Sequence, residues 1–240
     1  MLRSLTAALL VFGCASSPTS PTAPPPVGAA RVLFLGNSLT YTWDVPALVK
    51  AMADAAGRAD LTVKSVTYDS YALEDHWSFG TGKGELQSGA YDFVVMQQGP
   101  STLASSGINL TQWASTWSDE ARRVGTQPGL YVVWPPAGGN LDAGIANYES
   151  AASSAKAALY PVGEAWREAW RRDPTMPLYG PDQFHPGQHG AWLAALVIVA
   201  VVLDRPVADF PNTFPVQITP IQEQRLREAA TLAIARYARR

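Results

Sequence analysis

The chain has 240 residues, 47% of them apolar and 16% charged, with 18 Lys and Arg against 20 Asp and Glu. That much apolar surface excludes a disordered chain, because burial can offset the entropy of ordering, and a net charge of -2 excludes a binder driven by nucleic-acid phosphates. A single Cys excludes an internal disulfide framework and any multi-Cys metal site, and imidazole chemistry is limited to His76, His185 and His189.

In chain order, Met1-Leu-Arg3 supplies one positive charge and Leu5 to Gly13 is almost wholly apolar. The stretch is too short for a bilayer span, which needs about 20 apolar residues, and fits a secretory signal. The lone Cys14 after Val11-Phe12-Gly13 resembles a lipobox, which implies export and a lipid anchor. Residues 15–30 are rich in Ser, Thr and Pro and read as a tether. The organisation expected is therefore a signal over 1–14, a tether over 15–30 and a folded domain over 31–240.

Arg31–Gly36 reads as a buried parallel strand. Asp44 precedes a helix over Val45–Ala56, with Pro46 in its first turn and Gly57 past its end. Leu61–Tyr68 is β-rich, and Tyr91–Met96 is a third strand. Leu110–Val124 is helical, with Trp113 and Trp117 on one face. Leu130–Trp134 is a fourth strand stopped by Pro135 and Pro136. An Ala-rich helix follows over Leu141–Leu159, and a short fifth strand falls near 158–162. Glu164–Arg172 is a helix with Trp166 and Trp170 on one face. The unbroken apolar run Ala191–Leu203 predicts a fully buried helix. Thr219-Pro-Ile-Gln222 is a capping-box pattern opening the last helix, whose end carries Arg236, Arg239 and Arg240. Strands alternating with helices predict a parallel sheet covered on both faces, with ligands beyond the carboxyl ends of the strands.

Two segments carry candidate chemistry. Gly36-Asn37-Ser38-Leu39-Thr40 follows the first strand; Gly36 permits a sharp turn, and Ser38 sits where backbone N–H groups can stabilise negative charge. The same residues also suit a plain turn. In Tyr179-Gly-Pro-Asp182-Gln-Phe-His185-Pro-Gly187, a spacing of three lets Asp182 meet Nδ1 of His185 and leave Nε2 as a base, or lets the pair cap the next helix.

A Ser early in the chain and an Asp-x-x-His late in it resemble the first and last blocks of the SGNH, or GDSL-like, hydrolase superfamily, with Asn37 where Asp is commoner. Leu73-Glu-Asp-His76-Trp77, Tyr91–Gln97, Pro161–Trp166 and Trp192–Ala195 are similar to a bacterial secreted branch of it. The resemblance implies an α/β, flavodoxin-like three-layer α/β/α sandwich with a five-stranded parallel sheet. It also implies metal-free, cofactor-free ester hydrolysis by Ser38, His185 and Asp182. The family's oxyanion Gly after the second strand is replaced by Tyr68-Asp69-Ser70, so the N–H of Ser70 takes that role. Its Gly-x-Asn-Asp after the third strand is replaced by Gln97-Gln98-Gly99-Pro100-Ser101. The Gln97 carboxamide is then the expected further donor, with Gln98 and Ser101 as alternatives.

His189, four residues after His185, reads as a helix histidine rather than a metal ligand. His76 either meets substrate or caps the Trp77 segment. Trp43, Trp77 and Trp134 fall near strand ends, where aromatic rings suit sugars. The function expected is a serine esterase for small acyl groups, acetyl among them, on a carbohydrate or cell-envelope ester. The competing readings are a lipase or thioesterase for longer chains and a non-catalytic binding lipoprotein. The partner expected is that ester, with no nucleic acid, and with membrane contact only through the N-terminal lipid.

Overall fold

The computed structural model describes residue 28, residues 30–213 and residues 218–237. The expected signal, Cys14 and nearly all of the tether lie outside the described residues.

Five strands form one parallel sheet in the order β2-β1-β3-β4-β5: β1 Arg31–Gly36, β2 Thr62–Thr67, β3 Phe93–Met96, β4 Gln127–Tyr131 and β5 Ala158–Tyr160. Val32 to Leu35 and Val94 to Met96 are buried, as strands covered on both faces require. Nine helices accompany them among the described residues: α1 Ser38–Tyr41, α2 Val45–Ala55, α3 Leu73–Phe79, α4 Thr81–Gln87, α5 Ala104–Arg123, α6 Leu141–Ala155, α7 Val162–Arg172, α8 Gln188–Val202 and α9 Pro220–Tyr237. Helices α2, α7, α8 and α9 pack together, as do α3 to α6, giving the three-layer α/β/α sandwich of the flavodoxin-like class.

Local chemistry accounts for several element ends. Asp44 accepts from the N–H of Ala47 and caps α2. Thr219 and Gln222 form the reciprocal box at the start of α9: the N–H of Thr219 donates to Gln222 Oε1 at 3.1 Å, and that of Gln222 to Thr219 Oγ1 at 3.3 Å. Helix α8 is buried along almost its whole length, as the apolar run demanded. Among the described residues no helix is long and apolar enough to cross a membrane.

The structure shifts three boundaries. Strand β4 starts at Gln127 and ends at Tyr131, three residues earlier than expected. It includes Pro128, which is tolerated because β5 pairs only from Gly129 onward, so no neighbour on that side awaits the missing N–H. Helix α6 stops at Ala155, where Lys156 turns left-handed at φ 50°. Helix α5 begins at Ala104, six residues early, after Ser106 Oγ accepts from the N–H of Leu103. Helices α3 and α4 were not expected at all. Gly82 and Gly84 weaken the intrinsic helix preference of α4. Packing compensates: Gly82 lies against Leu35, and Leu86 is buried.

The chain runs outward from β1 to β2 and then crosses back to β3, so the order reverses between β1 and β3. A parallel sheet opens its ligand crevice at such a point, beyond the strands' carboxyl ends. Ser38 follows β1 and Gln97 follows β3 at that end.

Candidate active site

The turn after β1 is held by a dense set of hydrogen bonds. Asn37 caps α1 by accepting from the N–H of Leu39 on Oδ1 at 3.1 Å. Its Nδ2 donates to the Tyr71 carbonyl at 3.0 Å, tying the turn to the loop after β2. Gln97 Oε1 accepts from the Asn37 N–H at 3.0 Å and from Thr40 Oγ1 at 2.8 Å, while Gln97 Nε2 donates to Asn37 Oδ1 at 2.9 Å and to the Gln98 carbonyl. Gly36 is needed for room rather than for turning. A Cβ there would lie 2.5 Å from both Gln97 Oε1 and Thr40 Oγ1. Ser38 is thereby fixed at the first position of α1, where its N–H has no carbonyl partner within the helix.

The second segment forms a tight loop between α7 and α8. Asp182 Oδ1 accepts from the N–H groups of Phe184 and His185 at 3.1 and 3.0 Å, and Oδ2 lies 2.5 Å from His185 Nδ1. The bond to His185, then the Phe184 N–H, holds the Asp182 carboxyl below its ordinary pKa. The loop is pinned from beneath. Trp134 Nε1 donates to the Phe184 carbonyl, Tyr179 Oη to the Pro135 carbonyl, and the Ala137 N–H to the Gln183 carbonyl. Gly187 permits the close approach of the strand-like pair: its Cβ would fall 2.6 Å from the Tyr179 carbonyl oxygen.

These segments, 147 residues apart in sequence, meet: His185 Nε2 lies 2.8 Å from Ser38 Oγ. Ser38, His185 and Asp182 thus form one hydrogen-bonded line, buried at Ser38 and open at Asp182, whose side chain is half exposed. The line borders a cleft of about 960 Å³ that Tyr41, Trp43 and Asp69 also line. Chemically, a hydroxyl bonded to a neutral imidazole, itself oriented by a carboxylate, can act as a nucleophile.

The remaining expected residues fare differently. Ser70 has φ 59°, the left-handed conformation that favours glycine, so it occupies the backbone geometry for which a Gly would be chosen. Its N–H is not among the bonded donors of that loop. Gln97, expected as an oxyanion donor, lies beneath the turn after β1. It is fully buried, and both amide hydrogens are committed to Asn37 and Gln98. The alternatives are also engaged: Gln98 Nε2 donates to Ser101 Oγ, and Ser101 Oγ to the Gly99 carbonyl.

His76 is buried within α3, and its Nε2 lies 2.9 Å from the Gly36 carbonyl, beneath the turn after β1 rather than in the cleft. Burial pushes its pKa down, and Nδ1 has no hydrogen-bond partner. Both His185 nitrogens are engaged, Nδ1 by Asp182 and Nε2 by Ser38. Among the described residues no cluster of three His, Cys, Asp or Glu could hold a metal. Trp134 is fully buried and stacks on Trp166 at 3.4 Å, so it cannot present a face to a ligand. Trp77 packs on Trp117, and Trp43 alone of the three lines the cleft.

No protein-family model matches the chain, and no curated protein is similar to it at a significant level. Solved structures do match. A protein described as an SGNH hydrolase from Slackia heliotrinireducens is 27% identical, with 72% of this chain and 98% of that one covered and a TM-score of 0.60. A DUF4886 family protein from Bacteroides uniformis is 17% identical over 86% of this chain and 95% of its own, at a TM-score of 0.68. An acetylxylan esterase from Geobacillus stearothermophilus shares the fold at 12% identity, 73% and 95% coverage and a TM-score of 0.57. Sheet order and fold are those of the SGNH, or GDSL-like, hydrolase structures that the chain matches. Esterases and an acylhydrolase are among the solved structures that share this fold.

Proposed function

We propose that the chain is a serine esterase that removes small acyl groups, acetyl among them, from carbohydrate or cell-envelope esters. We read it as an exported lipoprotein held through Cys14. The continuous line from Asp182 through His185 to Ser38 carries the catalytic part of this reading. The likeness to an acetylxylan esterase supports the acyl group and the carbohydrate.

In the first half-reaction Ser38 Oγ attacks the ester carbonyl carbon as its proton passes to His185 Nε2. Asp182 keeps the imidazole in the tautomer with the proton on Nδ1 and stabilises the imidazolium. The oxyanion is met by the N–H groups of Ser38 and Ser70. Collapse breaks the bond to the leaving oxygen, which takes the proton from His185 and departs as the alcohol. Water then attacks the acyl-enzyme, again losing its proton to His185, and the carboxylic acid leaves with Ser38 restored.

Turnover of 4-nitrophenyl acetate tests the reading. Ser38→Ala and His185→Ala should each lower kcat by at least about 10⁴-fold while keeping the native circular dichroism spectrum. Near-normal turnover in either variant refutes the assignment. A fluorophosphonate should label wild-type Ser38 and not Ser38→Ala, whereas a mere binding protein would take up none. Faster turnover of the octanoyl than of the acetyl ester would shift the reading to a lipase or thioesterase.

A further inference from the structure

One aromatic residue at the cleft is held in an uncommon way. Trp43 has φ 62° and the next residue, Asp44, has φ 47°. Two successive non-glycine residues in the left-handed region are unusual, and a bulky one is more so. For Asp44 the reason is local, since its side chain caps α2. For Trp43 no cap or core contact accounts for it: the residue is 50% exposed, beside Tyr41 at 44%. The backbone therefore holds a large apolar ring in water at the mouth of the cleft that holds Ser38 and His185. Strained conformations kept at a site's rim point to use there.

The chemistry around that ring narrows the occupant. No Lys or Arg lines the cleft, while Asp69 and Asp182 both do. Phosphate-bearing lipids and coenzyme thioesters would meet two carboxylates and no cation, which disfavours them. Asp69 keeps acceptor capacity, because its neighbours Tyr41 Oη and Ser70 Oγ are no closer than 3.5 Å. An alkyl chain gains from a closed apolar groove, not from an open ring flanked by carboxylates. An uncharged pyranose matches both parts. Its axial C–H bonds make a flat apolar face for the indole, and its hydroxyls donate to a carboxylate.

We infer that Trp43, with Tyr41 and Asp69, forms a subsite that stacks a neutral pyranose ring bearing the ester, and that Trp43 sets the preference for acylated sugars. This rests on the esterase reading above and names its substrate class. Asp69 accepts a hydrogen bond from a ring hydroxyl, and the stacked ring presents its ester to Ser38.

The test compares kcat/KM on monoacetylated methyl β-D-glucopyranoside with kcat/KM on ethyl acetate, which has the same acyl group and no ring. In Trp43→Ala the ratio should fall by about tenfold, and Trp43→Phe should keep most of it. An unchanged ratio in Trp43→Ala overturns the subsite. So does a larger loss on acetylcholine than on the sugar ester, which would make the occupant a cation. Saturation-transfer NMR with methyl β-D-glucopyranoside reads the same contact without turnover: its axial protons should receive saturation from the wild type and lose it in Trp43→Ala. Absence of transfer to the wild type also overturns the subsite. Ser38→Ala separates the two readings. Residual esterase activity there refutes the nucleophile, whereas a failed Trp43 result with a dead Ser38→Ala refutes only the sugar platform.

Discussion

Asn37 and Gln97 grip each other at two points: the Asn37 N–H donates to Gln97 Oε1, and Gln97 Nε2 donates back to Asn37 Oδ1. The pair explains why this chain has Asn where related first blocks carry Asp. Asn37 must also donate to the Tyr71 carbonyl, which a carboxylate cannot do. Asn37→Asp should therefore leave a buried carboxylate against that carbonyl and lower stability by about 1–3 kcal/mol. Urea denaturation at neutral pH checks this, and the deficit should shrink in acid as the new carboxyl takes up a proton.

Asp182 fixes His185 but remains open to water. Asp182→Asn keeps the shape and removes the charge, so the imidazole can adopt the wrong tautomer. A fall in kcat of about 10²–10⁴-fold is expected, with the larger figure being that of a buried triad carboxylate. Folding should be little affected. Steady-state kinetics on 4-nitrophenyl acetate measures it, and a loss below tenfold would show that His185 is oriented by its loop alone.

Ser70 holds a left-handed backbone without being glycine. Ser70→Gly should relieve that strain and raise stability by about 0.5–1 kcal/mol, after the added entropy of an unfolded glycine is set against it. The backbone N–H proposed to meet the oxyanion is kept, so kcat should stay within a few-fold of wild type. Thermal melts and kinetics on the purified variant report both, and a large kcat loss would assign the work to the Ser70 hydroxyl instead.

His76 has its pKa lowered by burial, while it supports the Gly36 carbonyl. The unfolded imidazole, with an ordinary value of about 6.5, therefore binds protons more readily than the folded one. Native stability is full above that pH and is lost as the pH falls below it. His189, lowered by burial as well, adds in the same direction. His76→Gln cannot titrate, so its stability should fall less steeply between about pH 7 and 5 than that of wild type. Chemical denaturation at a series of pH values supplies the slopes, and parallel slopes would clear His76 of the effect.

The sequence by itself determined what depends on neighbours close along the chain. Apolar runs marked β1 and the buried α8, the Thr219–Gln222 box marked the start of α9, and the spacing of Asp182 and His185 allowed their contact. Periodicity and capping are short-range, so they can be read without the fold. Tertiary structure alone decided which hydrogen-bond groups were still free. Gln97 looked like a donor to substrate, but Asn37, brought in from 60 residues away, and the neighbouring Gln98 carbonyl take both of its amide hydrogens. Trp134 and Trp43 both lay near strand ends, yet one is sealed against Trp166 and the other stands in water. Helix α4 formed despite Gly82 and Gly84, because its packing against Leu35 of β1 and Trp117 of α5 outweighs the cost of those glycines. A side chain's remaining valence and exposure are set by contacts made across the fold, and the order of residues along the chain does not contain them in any form that local rules can read.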